Sequence, residues 1–203
     1  MRIAFITAGA AGRYCGNCLR DNQLALAMRR LGEDVTLVPT YTPIRTDEED
    51  ASEKRVFLGG LRVYLSQQSK FFRRSHPLID RLLDSRPVLK SLSFFSSRTE
   101  AKDLGDLTIS VLQGDEGRQK QEIDELATWL ADELRPDVIQ ISNILLVGIA
   151  RTLQKRVGVP VVCGLQAEDS YLDALKPEHR KRALELISER GSECDALVAV
   201  SRY

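Results

Sequence analysis

The chain has 203 residues, of which 43% are hydrophobic and 29% are charged, a composition typical of one globular domain. Its 29 basic and 29 acidic side chains give a formal net charge of zero, which argues against a nucleic-acid-binding protein because such proteins carry a basic surplus. No apolar run reaches the roughly 18–20 residues that span a bilayer. Four cysteines are too few for a disulfide scaffold, so we expect a cytoplasmic protein.

The N-terminal residues predict one strand–turn–helix–strand unit. Residues 2–7 form a short apolar run, typical of a strand buried in a parallel sheet, and a loop of small residues follows at 8–16. Apolar residues then recur at helical spacing over 19–31, and Gly32 stands where a helix is expected to end. Residues 34–38 predict the second strand, which Pro39 closes.

The middle of the chain is less regular. Residues 41–54 are polar and acidic and predict a mobile surface loop, whereas 56–66 predict a hairpin about Gly59 and Gly60. Residues 70–95 are basic and aromatic and predict two or three short helices. Their basic side chains are typical of a solvated helix face. The alternative is a patch for acceptor phosphates or for membrane-surface lipid, formed by Lys70, Arg73, Arg74 and His76.

The alternation of predicted helices and strands becomes regular again in the last hundred residues. Helices are predicted at 104–112, 122–134, 145–157 and 177–192, and strands at 137–141, 159–165 and 195–200. Strands separated by helices of this length indicate an α/β fold with a Rossmann-like open parallel sheet and helices on both faces. The chain stops directly after a strand, so we expect residues 1–203 to be a single Rossmann-like domain, truncated before a second domain.

The glycine-containing loop after the first strand is the first candidate site. Gly9, Gly12 and Gly16 let a ligand approach the backbone, and the following helix N-terminus favours anions. Their spacing differs from the G-x-G-x-x-G dinucleotide fingerprint, and the second strand lacks the acid that binds ribose. A nicotinamide-dependent dehydrogenase is therefore disfavoured. The alternative to a ligand site is a turn with a purely conformational role.

Cys15 and Cys18 form a C-x-x-C motif at the head of the first helix. A helix N-terminus lowers the pKa of a thiol, so the motif permits a redox dithiol or half of a zinc site. No second pair of ligands accompanies it, and Cys163 and Cys194 stand alone among apolar residues. We therefore expect no metal, and we expect Cys15 and Cys18 to shape the loop. A stand-alone α/β binding or thiol-redox module is retained as the alternative function.

Two further polar segments follow predicted strands, at 141–144 and 164–170. Gln166, Glu168 and Asp169 are well placed to bind hydroxyls or to accept a proton. The alternative is that Asp169 or Ser170 caps the next helix.

Three stretches resemble group 1 (family 4, GT-B) glycosyltransferases. They are RIAFITAGAAGRYCGNCLRDNQLALAMRRLGEDVTLVPTYTP, then RPDVIQISNILLVGIARTLQKRVGVPVVCGLQAEDSYLDAL, and the terminal CDALVAVSRY. The resemblance covers residues 1–43 and 136–203. It implies two Rossmann-like domains, of which this chain is the N-terminal, acceptor-side domain. The implied activity transfers a sugar from a nucleotide-sugar donor, usually with retention and without a metal or other cofactor.

The resemblance also implies site residues. The glycine loop faces the leaving phosphate of the donor, which assigns donor contacts to Gly9, Ala10, Ala11, Gly12 and Arg13. The histidines that the family often carries after two later strands are replaced here by Ser142-Asn143 and by Gln166–Asp169. Catalytic roles therefore pass to Glu168, Asp169 and Asn143. The implied partners are the nucleotide-sugar donor, held with the second domain, and a sugar or lipid-linked acceptor, with no nucleic acid.

Overall fold

The computed structural model describes residues 1–9, 14–58 and 104–202. Five strands form one sheet, all pairs are parallel, and the order across the sheet is β2-β1-β3-β4-β5. The strands are β1 Arg2–Thr7, β2 Asp34–Pro39, β3 Val138–Ile141, β4 Val161–Leu165 and β5 Ala196–Ala199. The predicted α/β class with a parallel Rossmann-like sheet is confirmed.

The α-helices of the described residues are α1 Gly16–Arg30, α2 Gly105–Leu112, α3 Lys120–Trp129, α4 Ala150–Val157, α5 Asp169–Asp173 and α6 Pro177–Gly191. Shorter turns accompany them: 3-10 helices at Gly114–Glu116 and Ile144–Ile149, and a π-helical segment at Leu130–Leu134. No helix in these described ranges is long and apolar enough to cross a membrane.

Helices cover both faces of the sheet, because alternate residues of β1 enter different apolar clusters. Ile3 and Phe5 pack with α1 residues such as Leu26. Ala4 and Ile6 point the other way, into a larger cluster that takes in the buried sides of β3, β4, α3, α4 and α6. This two-sided burial explains why β1 reads as a nearly continuous apolar run.

Helix α1 starts three residues earlier than predicted, at Gly16, because extended Cys15 serves as its N-cap. Gly32 follows the helix with φ +91°, as its predicted position required.

Two predicted continuous helices change geometry along their length. The helix expected over 122–134 is α-helical only as far as Trp129 and ends in the π-helical segment, after which Arg135 is left-handed with φ 49°. The helix expected over 145–157 begins instead as the 3-10 helix Ile144–Ile149. In that turn Gly148 lies against the backbone carbonyls of Val111 and Leu112, where a Cβ atom would overlap them. Apolar periodicity detects a buried helical face but not such a change in winding.

Residues 41–54 form a loop at the surface, as predicted, but two of its residues anchor it to the protein. Ile44 and Ala51 are buried, and Ser52 forms a parallel bridge to Leu37 of β2. The side-chain amide of buried Asn22 makes two hydrogen bonds to the backbone of this loop. It donates to Glu49 O and accepts from Ala51 N, at 2.9 Å each. The loop is therefore tied to α1 and β2. No strand forms at Val56–Leu58, and the predicted Gly59-Gly60 hairpin and the basic helices of 70–95 lie outside the described residues.

Candidate functional site

The strand order places a topological switch point between β1 and β3. The chain leaves β1 towards β2 on one side, whereas β3 lies on the other side and the order then continues to β4 and β5. Ligands of open parallel sheets bind beyond the carboxyl ends of the strands at such a point. Thr7 ends β1, Ser142 follows β3, and Gln166 follows β4, so their side chains belong to this edge.

Asp21 of α1 is the central group of the cluster. It is 1% exposed, and its Oδ2 accepts a 2.8 Å hydrogen bond from the Thr7 hydroxyl. Oδ1 lies 3.4 Å from both Gln166 Nε2 and Arg20 Nη1. Burial raises the pKa of Asp21, and hydrogen bonds from Thr7 and Ser142 oppose that rise. The result is a buried carboxyl with an increased tendency to hold a proton.

Gln166 connects this carboxyl to β3. Its Nε2 donates to the carbonyl oxygen of Ser142 at 2.6 Å, besides its longer contact with Asp21. Its Oε1 is buried and has no hydrogen-bond partner in the part of the chain that the structure describes. Gln166 is only partly buried as a residue. It therefore offers one unused hydrogen-bond acceptor at the switch point.

Glu168, a predicted catalytic residue, is buried and engaged on both carboxylate oxygens. Oε1 accepts from the backbone N–H of Ile144 at 3.2 Å, and Oε2 accepts from that of Gln166 at 2.8 Å. These bonds hold the segments after β3 and β4 together. The position supports Gln166 directly, whereas the catalytic role of Glu168 stays a prediction.

The other two predicted catalytic residues occupy different settings. Asn143 is the N-cap of the 3-10 helix, and its Oδ1 accepts from Leu145 N at 2.9 Å. Asp169 is exposed at the first position of α5. Glu168 is the N-cap of that helix and no side chain caps it, so capping by Asp169 or Ser170 is wrong. The structure brings Asn143 and Glu168 to neighbouring segments and leaves Asp169 at the surface.

Of the predicted donor-contact residues, Gly9 is described, whereas Ala10, Ala11, Gly12 and Arg13 lie outside the described residues. Gly9 has φ +81°, and a Cβ atom there would overlap the carbonyl oxygen of Thr42. Both features require glycine. The start of the loop is thereby fixed against the segment after β2, where Tyr41 N donates to Ala8 O at 2.9 Å.

The four cysteines form two pairs. Cys15 and Cys18 are neighbours on the first turn of α1, and burial together with the nearby Cys15 raises the pKa of Cys18 to about 12. Cys163 and Cys194, which sequence analysis treated as isolated, lie close enough to shift each other's pKa. The Cys163 thiol donates to Gly164 O at 3.7 Å, and the Cys194 thiol donates to Arg190 O at 3.9 Å. No group of three or more His, Cys, Asp or Glu side chains in the described ranges is arranged to hold a metal ion.

Sequence reasoning missed Thr7 and Asp21. A usable signal existed, because Asp21 shares the buried helical face of Cys18, Asn22 and Ala25. A charged residue at such a position indicates a polar partner inside the protein.

Comparisons of the chain with protein-family models, with curated proteins and with solved structures give no match.

Proposed function

We propose that the chain is the acceptor-side domain of a glycosyltransferase, which transfers a sugar from a nucleotide-sugar donor to a sugar or lipid-linked acceptor. The observation that carries the proposal is the convergence of Thr7, Asp21, Ser142 and Gln166 at the switch point between β1 and β3. Parallel sheets bind their ligands at this edge.

The chemistry of the cluster suits the recognition of hydroxyl groups. Its members are hydroxyls, an amide, a backbone carbonyl and one carboxyl, and together they both donate and accept hydrogen bonds. Gln166 Oε1 is the acceptor left for an incoming hydroxyl proton. Sugars present many hydroxyls that need such partners, and a site built to pair a hydroxyl strongly rejects analogues lacking it.

The donor side of the proposal rests on the resemblance of the glycine loop. The resemblance implies that Gly9, Ala10, Ala11, Gly12 and Arg13 contact the leaving phosphate of the donor. It also implies that a second domain holds most of the nucleotide-sugar and that no metal is required. Under this proposal the described sheet supplies one wall of an interdomain cleft, and the chain alone lacks full donor affinity.

Titration of the isotope-labelled chain, followed by amide NMR, tests this division. Neutral mono- and disaccharides and polyprenyl-phosphate sugars should shift the amides of Thr7 and Gln166, whereas UDP- and GDP-sugars should not bind with micromolar affinity. Gln166→Ala should weaken the acceptor response about tenfold, the usual effect of losing a hydrogen bond. The matched control is Gln121→Ala, since the Gln121 side chain donates to Glu125 on the exposed side of α3, away from the switch point.

Micromolar donor binding by this chain would refute the proposed division of labour. Acceptor binding that is unaffected by Gln166→Ala would refute the assignment of the switch point as the acceptor site.

The alternative, a thiol-redox module based on Cys15 and Cys18, receives less support. The raised pKa of Cys18 disfavours its thiolate at neutral pH, and the thiolate is the reactive form.

A further inference from the structure

Gln166 follows β4 at the switch point, and its neighbours fix the orientation of its side-chain amide. Nε2 lies 2.6 Å from the carbonyl oxygen of Ser142 and 3.4 Å from Oδ1 of Asp21. A backbone carbonyl can only accept a hydrogen bond. If the amide were rotated by half a turn, Oε1 would face that carbonyl with no proton between the two oxygens. The nitrogen therefore belongs on the side of Ser142.

This orientation leaves Oε1 as the unused group of the side chain. Nε2 donates to Ser142 O and contacts Asp21, whereas Oε1 is buried and has no hydrogen-bond partner among the described residues. The hydroxyl of Thr7 does not supply a proton to it, because that hydroxyl donates to Asp21 Oδ2 at 2.8 Å. A buried acceptor without a partner destabilises the free protein. Binding of a proton donor at Oε1 is therefore favourable.

Two carboxyl groups lie against Gln166 and oppose the binding of an anion there. Asp21 is 1% exposed and Glu168 is 7% exposed, and Glu168 Oε2 accepts from the backbone N–H of Gln166 at 2.8 Å. The Arg20 guanidinium contacts Asp21 Oδ1 at 3.4 Å and balances the charge of one acid. A phosphate or carboxylate would bring acceptor oxygens and negative charge to this place, whereas a hydroxyl donates a proton without adding charge.

We propose that the switch point recognises an uncharged hydroxyl group of the acceptor as a proton donor, and that Gln166 selects for this proton through Oε1. The inference rests on the proposed transferase function and adds to it the class of group that is recognised. An amide oxygen is too weak a base to remove the proton. Gln166 therefore binds and orients this hydroxyl without activating it.

A measurement without any ligand tests the orientation of the amide. In the isotope-labelled chain, a scalar coupling transmitted through the hydrogen bond should connect Gln166 Nε2 with the carbonyl carbon of Ser142. The Gln121 amide donates to the Glu125 carboxylate on the exposed side of α3, so its coupling to a backbone carbonyl carbon should be absent. Failure to detect the coupling between Gln166 and Ser142 would overturn the proposal.

Sugar analogues that differ at one hydroxyl test the selection. Methyl glycosides of glucose, galactose and mannose are titrated into the labelled chain, and the tightest binder is compared with its deoxy, fluoro and O-methyl derivatives at each position. At one position all three replacements should weaken binding about tenfold, because fluorine and an ether oxygen lack the proton. A phosphate ester at that position should abolish binding, and inorganic phosphate should leave the Gln166 amide resonances unshifted.

Gln166→Met keeps the approximate length of the side chain and removes the acceptor. The parent glycoside should bind this variant about tenfold more weakly, and replacement of the selected hydroxyl should then have no further effect, as expected for two groups in contact. Gln121→Met is the matched control and should keep the wild-type discrimination. The analogue series in the wild type does not depend on a variant folding.

The outcomes separate this inference from the proposed function. Equal binding of the parent glycoside and its fluoro and O-methyl derivatives at every position would overturn the inference and leave sugar binding intact. Inorganic phosphate that shifts the Gln166 resonances would also overturn it. Absence of binding by all three glycosides would count against the acceptor site itself, and the inference would fall with it.

Discussion

The hydroxyl of Thr7, the last residue of β1, donates a 2.8 Å hydrogen bond to the buried carboxyl of Asp21 on α1. Since Gln166 and Ser142 contact the same carboxyl, one acid joins the ends of β1, β3 and β4. Its protonation state therefore affects both the stability of the fold and the charge of the candidate site.

Asp21→Asn should change how stability depends on pH. Burial raises the pKa of Asp21 in the folded protein, so the folded state binds the proton more tightly than the unfolded chain. The wild type should therefore lose stability as pH rises from the unfolded-state pKa of about 3.9 through the raised folded-state pKa. The variant cannot ionise at this position and should lack that loss.

Urea unfolding from pH 3.5 upwards measures the free energy of unfolding of the wild type and of Asp21→Asn. Subtracting one from the other cancels the titration of the other groups. Asp169→Asn alters an exposed carboxylate and should stay within about 0.5 kcal/mol of the wild type. A wild-type-minus-Asp21→Asn difference that is constant with pH would contradict the prediction.

Gly105→Ala should destabilise the protein by about 1–3 kcal/mol. Gly105 is the first residue of α2, and a Cβ atom there would overlap the ring of His179, which bonds Asp106 at 3.1 Å. Gly16→Ala is the matched control, because Gly16 also begins a helix and no atom of the described residues lies within 4 Å of its Cβ position. That change should be neutral or stabilising by up to about 1 kcal/mol.

Thermal or urea unfolding of the two alanine variants gives the comparison. Combining Gly105→Ala with His179→Ala should recover part of the loss, because the second change removes the ring. Equal stability of Gly105→Ala and Gly16→Ala would show that the His179 ring moves aside without cost.

Gly114→Ala and Gly158→Ala separate backbone strain from steric overlap. Both glycines have positive φ, 63° and 75°, so each alanine should cost about 1–2 kcal/mol in conformational energy. At Gly114 the added Cβ would also overlap the carbonyl oxygen of Gly148, whereas at Gly158 it would meet no atom within 4 Å in the described part of the chain. We expect Gly114→Ala to unfold at a clearly lower urea concentration than Gly158→Ala, and the opposite order would be inconsistent with this packing.

Arg190→Ala should cost about 2–4 kcal/mol of unfolding free energy. The Arg190 side chain is 1% exposed and contacts Glu116 at 3.0 Å and Glu193 at 3.4 Å. The side chains of these two acids are 61% and 22% exposed to solvent. Because water can reach both carboxylates once Arg190 is removed, the loss of unfolding free energy should come mainly from the cavity that the shorter side chain leaves. Arg190→Met fills that volume and should cost only about 1 kcal/mol.

Urea unfolding distinguishes these two substitutions, with Arg182→Ala as the control, since the exposed Arg182–Glu185 pair contributes little. If methionine is as damaging as alanine, then the charge of Arg190 rather than its volume stabilises the α6 end.

Much of the fold was predictable because it depends on short-range patterns. Apolar runs located the strands, helical spacing located α1 and α6, and Gly32 marked the end of α1. Boundaries were less accurate where the local backbone departs from regular helix, as it does at Gly148 and at Arg135.

The candidate site was predictable only in outline. The positions just after β1, β3 and β4 followed from the general behaviour of parallel sheets. Asp21 was missed because it lies within a helix. The sequence also did not predict that backbone N–H groups bond both oxygens of Glu168, whose catalytic role stays a prediction. Which polar groups are already satisfied depends on partners that are distant in the chain.

The sequence by itself determined the α/β alternation and the small-residue loop at Gly9, since both are local properties of neighbouring residues. Only the tertiary structure decided that Asp21 would meet Thr7 and Gln166, that Asn22 would tie down the acidic loop, and that Cys163 would lie beside Cys194. The physical reason is that strand order and register bring these residues together over long separations, and no periodicity within a short window encodes such contacts.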